Sequence, residues 1–251
     1  MRVSFISIFP DQLRSYCGFG VISKAQQVGA LELSFIDPRD YTHDLHRSVD
    51  DAPYGGGPGM LMKCEPIVEA IEANDVARPV VLLTPGGERL SQSKIRELAS
   101  LEGFTLLCGR YEGVDARVEE LVVDMRISLG DYVLAGGELA ALCVLEAVSR
   151  LLPEVLGNEN SPAQDSFEDG LLEYAQYTRP AEFRGMRVPG VLLGGNHQEI
   201  ERWRRRSSLL RTASWRPDLL KREVLSEEDV QFLAENGYSV EVDLIPSTSE
   251  D

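Results

Sequence analysis

The sequence predicts an α/β protein: a parallel sheet covered by helices on both faces, followed by a small, mainly helical C-terminal domain. Three observations predict it. Strand-like and helix-like segments alternate as far as residue 152, as parallel strands joined by crossover helices do. The loops after the third, fourth and fifth strand-like runs are marked by glycine, where ligands collect in such sheets. After Pro153 the texture turns polar and rich in turn formers, and two helical patterns follow it.

Each element has its own warrant. "RVSFISIF" (2–9) is a buried strand that Pro10 and Asp11 end. No small-residue cleavage site follows, so it reads as a first buried strand rather than as a signal peptide. Residues 11–29 are helical, with a break expected near Gly18–Gly20. Further strands are expected at 31–37, 79–84, 104–109 and roughly 122–128, and helices at 65–74, 91–100 and 114–121. The helix over 137–152 is apolar nearly all round, which places it in a core or an oligomer interface. Residues 153–180 read as a linker. Helices follow at 196–212 and 226–237, the second with Ser226 as N-cap and three acids in its first turn. The stretch "PYGGGPGM" (53–60) holds four glycines and two prolines, and is neither helix nor strand interior. Such a loop is rigid and poor in side chains, suited to backbone contact with a ligand.

With 251 residues and 43% hydrophobic content, the chain can bury a sizeable core. No apolar run approaches membrane-spanning length. Cys17, Cys64, Cys108 and Cys143 are scattered, as reduced core thiols of a cytoplasmic protein would be. A net charge of −16 argues against a nucleic-acid partner, but the charge is uneven. Residues 202–216 carry six arginines, no acid and both tryptophans, whereas 223–251 carry nine acids and no Lys or Arg. Arginine forks suit phosphates.

Several chemistries lack their signatures. No phosphate-binding G-x-x-x-x-G-K-[ST] occurs, and Met60 stands where Gly55 and Gly57 would need a third glycine. His43 and His46, with Asp50 and Asp51 nearby, are better explained as loop hydrogen-bonders than as a zinc site, so no metal centre is expected. The acidic cluster Asp165, Glu168, Asp169 and Glu173 could hold a divalent ion or supply a general base, and Tyr174, Tyr177 and Arg179 could order a carboxylate there. Spacing does not choose among the four acids.

Seven ordered motifs carry a resemblance: "ISIFP", "DPRDYTHDLHRSVDDAPYGGGPGMLM", "LLTPGGERL", "LCGRYEGVDARV", "SLGDYVLAGGELA", "DSFEDGLLEYAQYTRP" and "GNHQEIERWR". Together they resemble the bacterial tRNA (guanine-N1)-methyltransferases from the first strand to about residue 220. Ala175, where the family often has proline, is a small departure. The resemblance implies the SPOUT class: a deep trefoil knot in the cofactor region, a cytoplasmic homodimer with a composite active site, and no membrane partner. It implies S-adenosyl-L-methionine as donor and the anticodon stem-loop of tRNA as partner, and leaves a role for Mg2+ open. The implied organisation is a methyltransferase domain over 1–155, a flexible linker over 156–175, and a tRNA-binding domain with an acidic tail over 176–251.

Carried over by motif, the donor pocket falls on Thr84 and Pro85, then Gly109, Tyr111, Glu112 and Gly113, then Leu129, Gly130, Asp131, Tyr132, Val133, Leu134, Gly136 and Gly137. Side-chain-poor loops let backbone groups approach an adenine closely. The implied general base is Asp165, with Arg150 stabilising guanine O6 and Glu112 beside them. The implied substrate contacts are Asp50, Pro58, Gly59, Arg179, Arg202, Trp203, Arg204, Arg205 and Arg206. Two rival readings stand beside this one: a related knotted ribose 2′-O-methyltransferase, and a non-catalytic RNA-binding protein.

Overall fold

The computed structural model describes residues 1–157 and 165–239. Its backbone divides into two units, Met1–Glu159 and Asn160–Asp251.

The strands of the first unit are β1 (Arg2–Ile6), β2 (Glu32–Ile36), β3 (Asp50–Asp51), β4 (Leu61–Met62), β5 (Val80–Arg89), β6 (Gly103–Cys108) and β7 (Met125–Ser128). Five of them form a parallel sheet in the order β2-β1-β6-β5-β7, and β3 and β4 form a separate antiparallel pair. Side chains alternate across the sheet, so one strand feeds two cores. Val81 and Leu83 of β5 join Phe5, Phe104 and Leu106 on one face; Val80 and Leu82 join Ile6 and Leu107 on the other. The first face is covered by α1 (Pro10–Tyr16), α2 (Gly20–Gln27), α4 (Gln92–Ala99) and α6 (Glu138–Ser149), and the second by α3 (Cys64–Glu72) and α5 (Ala116–Leu121). The expected break separates α1 from α2, with Gly20 at φ +65°. Cys17, Cys64 and Cys108 are buried free thiols, and Cys143 is exposed.

The stretch "TPGGER" corrects one expectation. It is not a loop leaving the third strand of the main sheet, because β5 itself continues to Arg89. Ile127 of β7 faces both Leu83 and Glu88, so residues 84–87 are pushed out of register as a bulge. Gly87 permits this, since a Cβ there would lie 2.6 Å from the Arg126 carbonyl carbon.

The second unit contains the hairpin strands β8 (Glu182–Phe183) and β9 (Met186–Arg187) and the helices α7 (His197–Trp215) and α8 (Glu227–Glu235). Its core is Leu171, Leu209, Ala213, Leu225 and Leu233. Ser226 caps α8 as expected, in a capping box whose return bond runs from the Ser226 N–H to the Asp229 carboxylate.

The linker expectation needs correction over 165–175. Leu171 is fully buried, and the Leu172 N–H donates to Thr212 Oγ1 at 3.0 Å. The Ala175 N–H donates to Ser207 Oγ at 2.9 Å, and the Ser208 hydroxyl donates to the Leu172 carbonyl. Polar, turn-rich composition signalled a linker, but an extended chain can satisfy its backbone on a neighbouring helix that offers hydroxyls in register. Of the expected linker, 158–164 lie outside the described residues, as do 240–251 of the acidic tail.

Candidate active site

A cleft of about 310 Å³ opens beside the bulge of β5 and at the carboxyl ends of β6 and β7. Thr84 and Pro85 enter it from the β5 bulge; Gly109, Tyr111, Glu112 and Gly113 from the loop after β6. Leu129, Gly130, Tyr132, Val133, Leu134, Gly136 and Gly137 come from the loop after β7. The structure therefore gathers into one cleft every residue named for the donor pocket except Asp131, which is exposed on the same loop outside the lining. The glycines bring main chain against main chain. The Gly137 N–H donates to the Gly109 carbonyl at 2.9 Å, and a Cβ on Gly137 would meet Cys108 Cα at 2.8 Å. The loops after β6 and β7 thus close on each other at the wall of the cleft.

The loop 53–60 borders this cleft. Gly59 has φ +79°, and a Cβ there would fall 2.6 Å from Glu112 Cγ. Glu112 in turn donates its N–H to the Met60 carbonyl at 3.0 Å, and the Met62 N–H donates to the Gly113 carbonyl at 2.9 Å. Pro58 is exposed on the same loop. Tyr111 adopts φ +59°, uncommon for a residue with a side chain, and its hydroxyl lies in the field of the Asp50 carboxylate. Burial and the Asp50 charge both push the Tyr111 hydroxyl above its ordinary pKa.

Residues that the sequence did not single out organise the cleft from beneath. Arg110 lines it, and its Nε donates to Glu138 Oε2 at 2.8 Å. Glu138, the first residue of α6, also accepts from the Ser7 hydroxyl at 2.7 Å and is 7% exposed. Arg110 lies over the Phe9 ring, 4.5 Å from its centroid. The available signal was a charged residue in each of two glycine-marked motifs, "CGRYEG" and "AGGEL"; nothing in the spacing said the two would meet.

The remaining named residues divide between the units. Arg150 closes the C-terminal end of α6 in the first unit. Asp165 begins the described part of the second, where it borders a small cleft with Asp169, Glu173, Tyr174 and Arg204. Arg179 is exposed, and Trp203 tilts against Tyr177 with ring centroids 6.1 Å apart. The arginines of α7, uncompensated in sequence, meet acids in space. Arg205 bonds to Asp229 Oδ2 at 2.9 Å, to Asp169 Oδ2 at 2.8 Å and to the Val224 carbonyl at 3.1 Å. Arg204 bonds to Glu201 at 2.7 Å and lies over Tyr174, and Arg206 lies over Phe232. Burial raises the Asp229 pKa, but the Arg205 and Ser226 hydrogen bonds outweigh it and hold it below the ordinary range. Arg205 is thus already engaged by two carboxylates and a carbonyl, and this ties α7 to α8 and to the segment 165–175. Among the described residues no cluster of His, Cys, Asp and Glu has the form of a metal site.

A family model described as tRNA (Guanine-1)-methyltransferase TrmD matches residues 1–222. The chain belongs to this family. Among its relatives is the tRNA (guanine-N(1)-)-methyltransferase of Moorella thermoacetica, 50% identical over 240 residues, covering 94% of this chain and 96% of the relative. Proteins of the same name from Geobacter sulfurreducens and Anaeromyxobacter dehalogenans are 51% and 52% identical, each covering 93% of this chain and at least 96% of the relative. The tRNA (guanine-1)-methyltransferase family match spans the first unit, the cleft and α7, so every candidate site residue falls inside it.

Proposed function

We propose that this protein transfers a methyl group from S-adenosyl-L-methionine to N1 of the guanine immediately 3′ of the anticodon in tRNA. The observation that carries the reading is the single cleft formed by the β5 bulge and the glycine-marked loops after β6 and β7, in a chain of the tRNA (guanine-1)-methyltransferase family. The cleft residues fit the donor: its volume suits a nucleoside-sized ligand, and Gly109, Gly113, Gly130 and Gly136 keep its lining poor in side chains, so that a flat base can approach the main chain. When bound, the donor supplies a methyl on a sulfonium, an activated leaving group, so no covalent enzyme intermediate is required.

The protein's task is the guanine. N1 carries a proton and is a poor nucleophile until that proton leaves. Asp165 accepts it as general base. The negative charge that builds on O6 is met by Arg150, whose planar fork matches that edge of the base. Glu112, beside Gly59, and the loop with Asp50 and Pro58 border the place where base and donor would meet. Arg179, Arg202, Trp203, Arg204 and Arg206 grip the anticodon stem-loop, whose unstacked bases are accessible. The family's trefoil knot is assigned to the cofactor region, and a homodimer unites Arg150 and Asp165 in a composite site. Mg2+ enters only as a candidate additional ligand.

The test is transfer of labelled methyl to unmodified tRNA, with the product mapped by nuclease digestion and mass spectrometry. Label at guanine N1 is the expected result. Label on a ribose hydroxyl would move the protein to a different reaction, and no transfer would leave an RNA-binding protein.

A further inference from the structure

The cleft wall contains a cation to which the methyl-transfer reading gives no role, Arg110. A sulfonium donor is itself a cation, and a guanidinium fixed in a partly dry cleft repels it. Arg110 is fixed: its Nη1 reaches the Ala135 carbonyl at 3.4 Å, its guanidinium lies over Phe9, and its Nε is bonded to Glu138. Of the carboxylates lining the cleft, Glu119 is already paired with Arg126 Nε at 2.5 Å, and Glu112 stands at Gly59. Glu138 is different. Its side chain is only 9% exposed, and it is held by Arg110 on one side and Ser7 on the other. A buried ion pair is a weak way to gain stability, since apolar residues of similar volume often do as well. Its place directly behind a cleft-lining cation suggests another use.

We infer that Glu138 is a charge-compensating positioning residue. It cancels the field of Arg110, so that the cleft accepts a cationic sulfonium donor and distinguishes it from the neutral thioether left after transfer. Arg110 meanwhile keeps its structural role, tying the loop after β6 to the loop after β7. The inference rests on the cleft being the donor site.

The experiment is calorimetric titration of S-adenosylmethionine and S-adenosylhomocysteine into the full chain and its variants. Glu138→Gln is isosteric and removes only charge. It should shift the affinity ratio of the two ligands against the sulfonium by about tenfold. Glu138→Asp should keep the wild-type ratio, even where both affinities fall. Arg110→Gln should shift the ratio the other way. Equal weakening of both ligands in Glu138→Gln would make Glu138 a merely structural residue and overturn the inference. Should Glu138→Gln not fold, Arg110→Gln decides alone, and an unchanged ratio in it overturns the inference. A cleft-filling Thr84→Tyr separates the two levels. Loss of both ligands there supports the donor site whatever Glu138 does; undiminished binding places the donor elsewhere, and both readings fall.

Discussion

At the scale of single residues, activity depends on a few groups whose removal has distinct signatures. Asp165→Ala should lower the methyl-transfer rate roughly 10²–10⁴-fold, the usual scale for a general base. Donor affinity should barely change, because the donor cleft is lined by other residues. Single-turnover assays beside donor titrations check both, and wild-type turnover would remove Asp165 from the chemistry. Gly59→Leu tests the loop. Its φ of +79° makes any side chain strained by roughly 1–2 kcal/mol, and the new Cβ displaces Glu112. Turnover should be lost while thermal unfolding still shows a folded protein. Full turnover in that variant would take the loop out of the site.

Elements make different predictions. The acids that neutralise α7 are on α8 and in the segment 165–175, so the helix is held by ion pairs as well as by Leu209 and Ala213. Asp229→Asn should destabilise the second unit by roughly 1–3 kcal/mol, the scale of charged hydrogen bonds. The folded carboxyl of Asp229 lies below its unfolded value of about 3.9. Its stabilisation is therefore present above pH 4 and fades as pH falls through the folded pKa. Thermal unfolding as a function of pH should show this acid-side loss in the native chain and a smaller one in Asp229→Asn. Arg202 offers the contrast. Arg202→Ala should weaken tRNA binding and reduce the slope of log affinity against log salt by about 0.7, one phosphate on a single strand. Arg205→Ala should act first on stability, seen as a lower Tm. A native slope as steep as six phosphate contacts would require, about −4, would contradict the structural assignment of Arg205.

For the whole molecule the prediction concerns assembly. Leu139 is 63% exposed on α6, and Val133 is 84% exposed on the loop before it. Tyr132 on the same loop is 57% exposed, and so many large apolar side chains left open to solvent within 132–139 are characteristic of an interface. Sedimentation should find dimers at micromolar concentration, and Leu139→Asp should shift them toward monomers and lower turnover together. Monomers in the native chain at that concentration would count against the composite site. Membrane spanning is a separate question: among the described residues no helix is long and apolar enough to cross a bilayer.

Local patterns in the sequence were enough to mark the alternating strands and helices, the break at Gly18–Gly20, the Ser226 cap and the glycine-marked loops that line the cleft. These are short-range properties: side-chain period, backbone freedom and capping chemistry act within a few residues. Three matters depended on which distant segments meet. Residues 165–175 look like a linker until the hydroxyls of Ser207, Ser208 and Thr212 bond to their backbone. The arginines of α7 look uncompensated until Asp169 and Asp229 reach Arg205. Ser7, Arg110 and Glu138 converge across more than a hundred positions of chain, because parallel pairing of β1 with β6 brings their loops to one end of the sheet. Charge and hydrogen bonding depend on distance in space, and only the packed fold decides that distance.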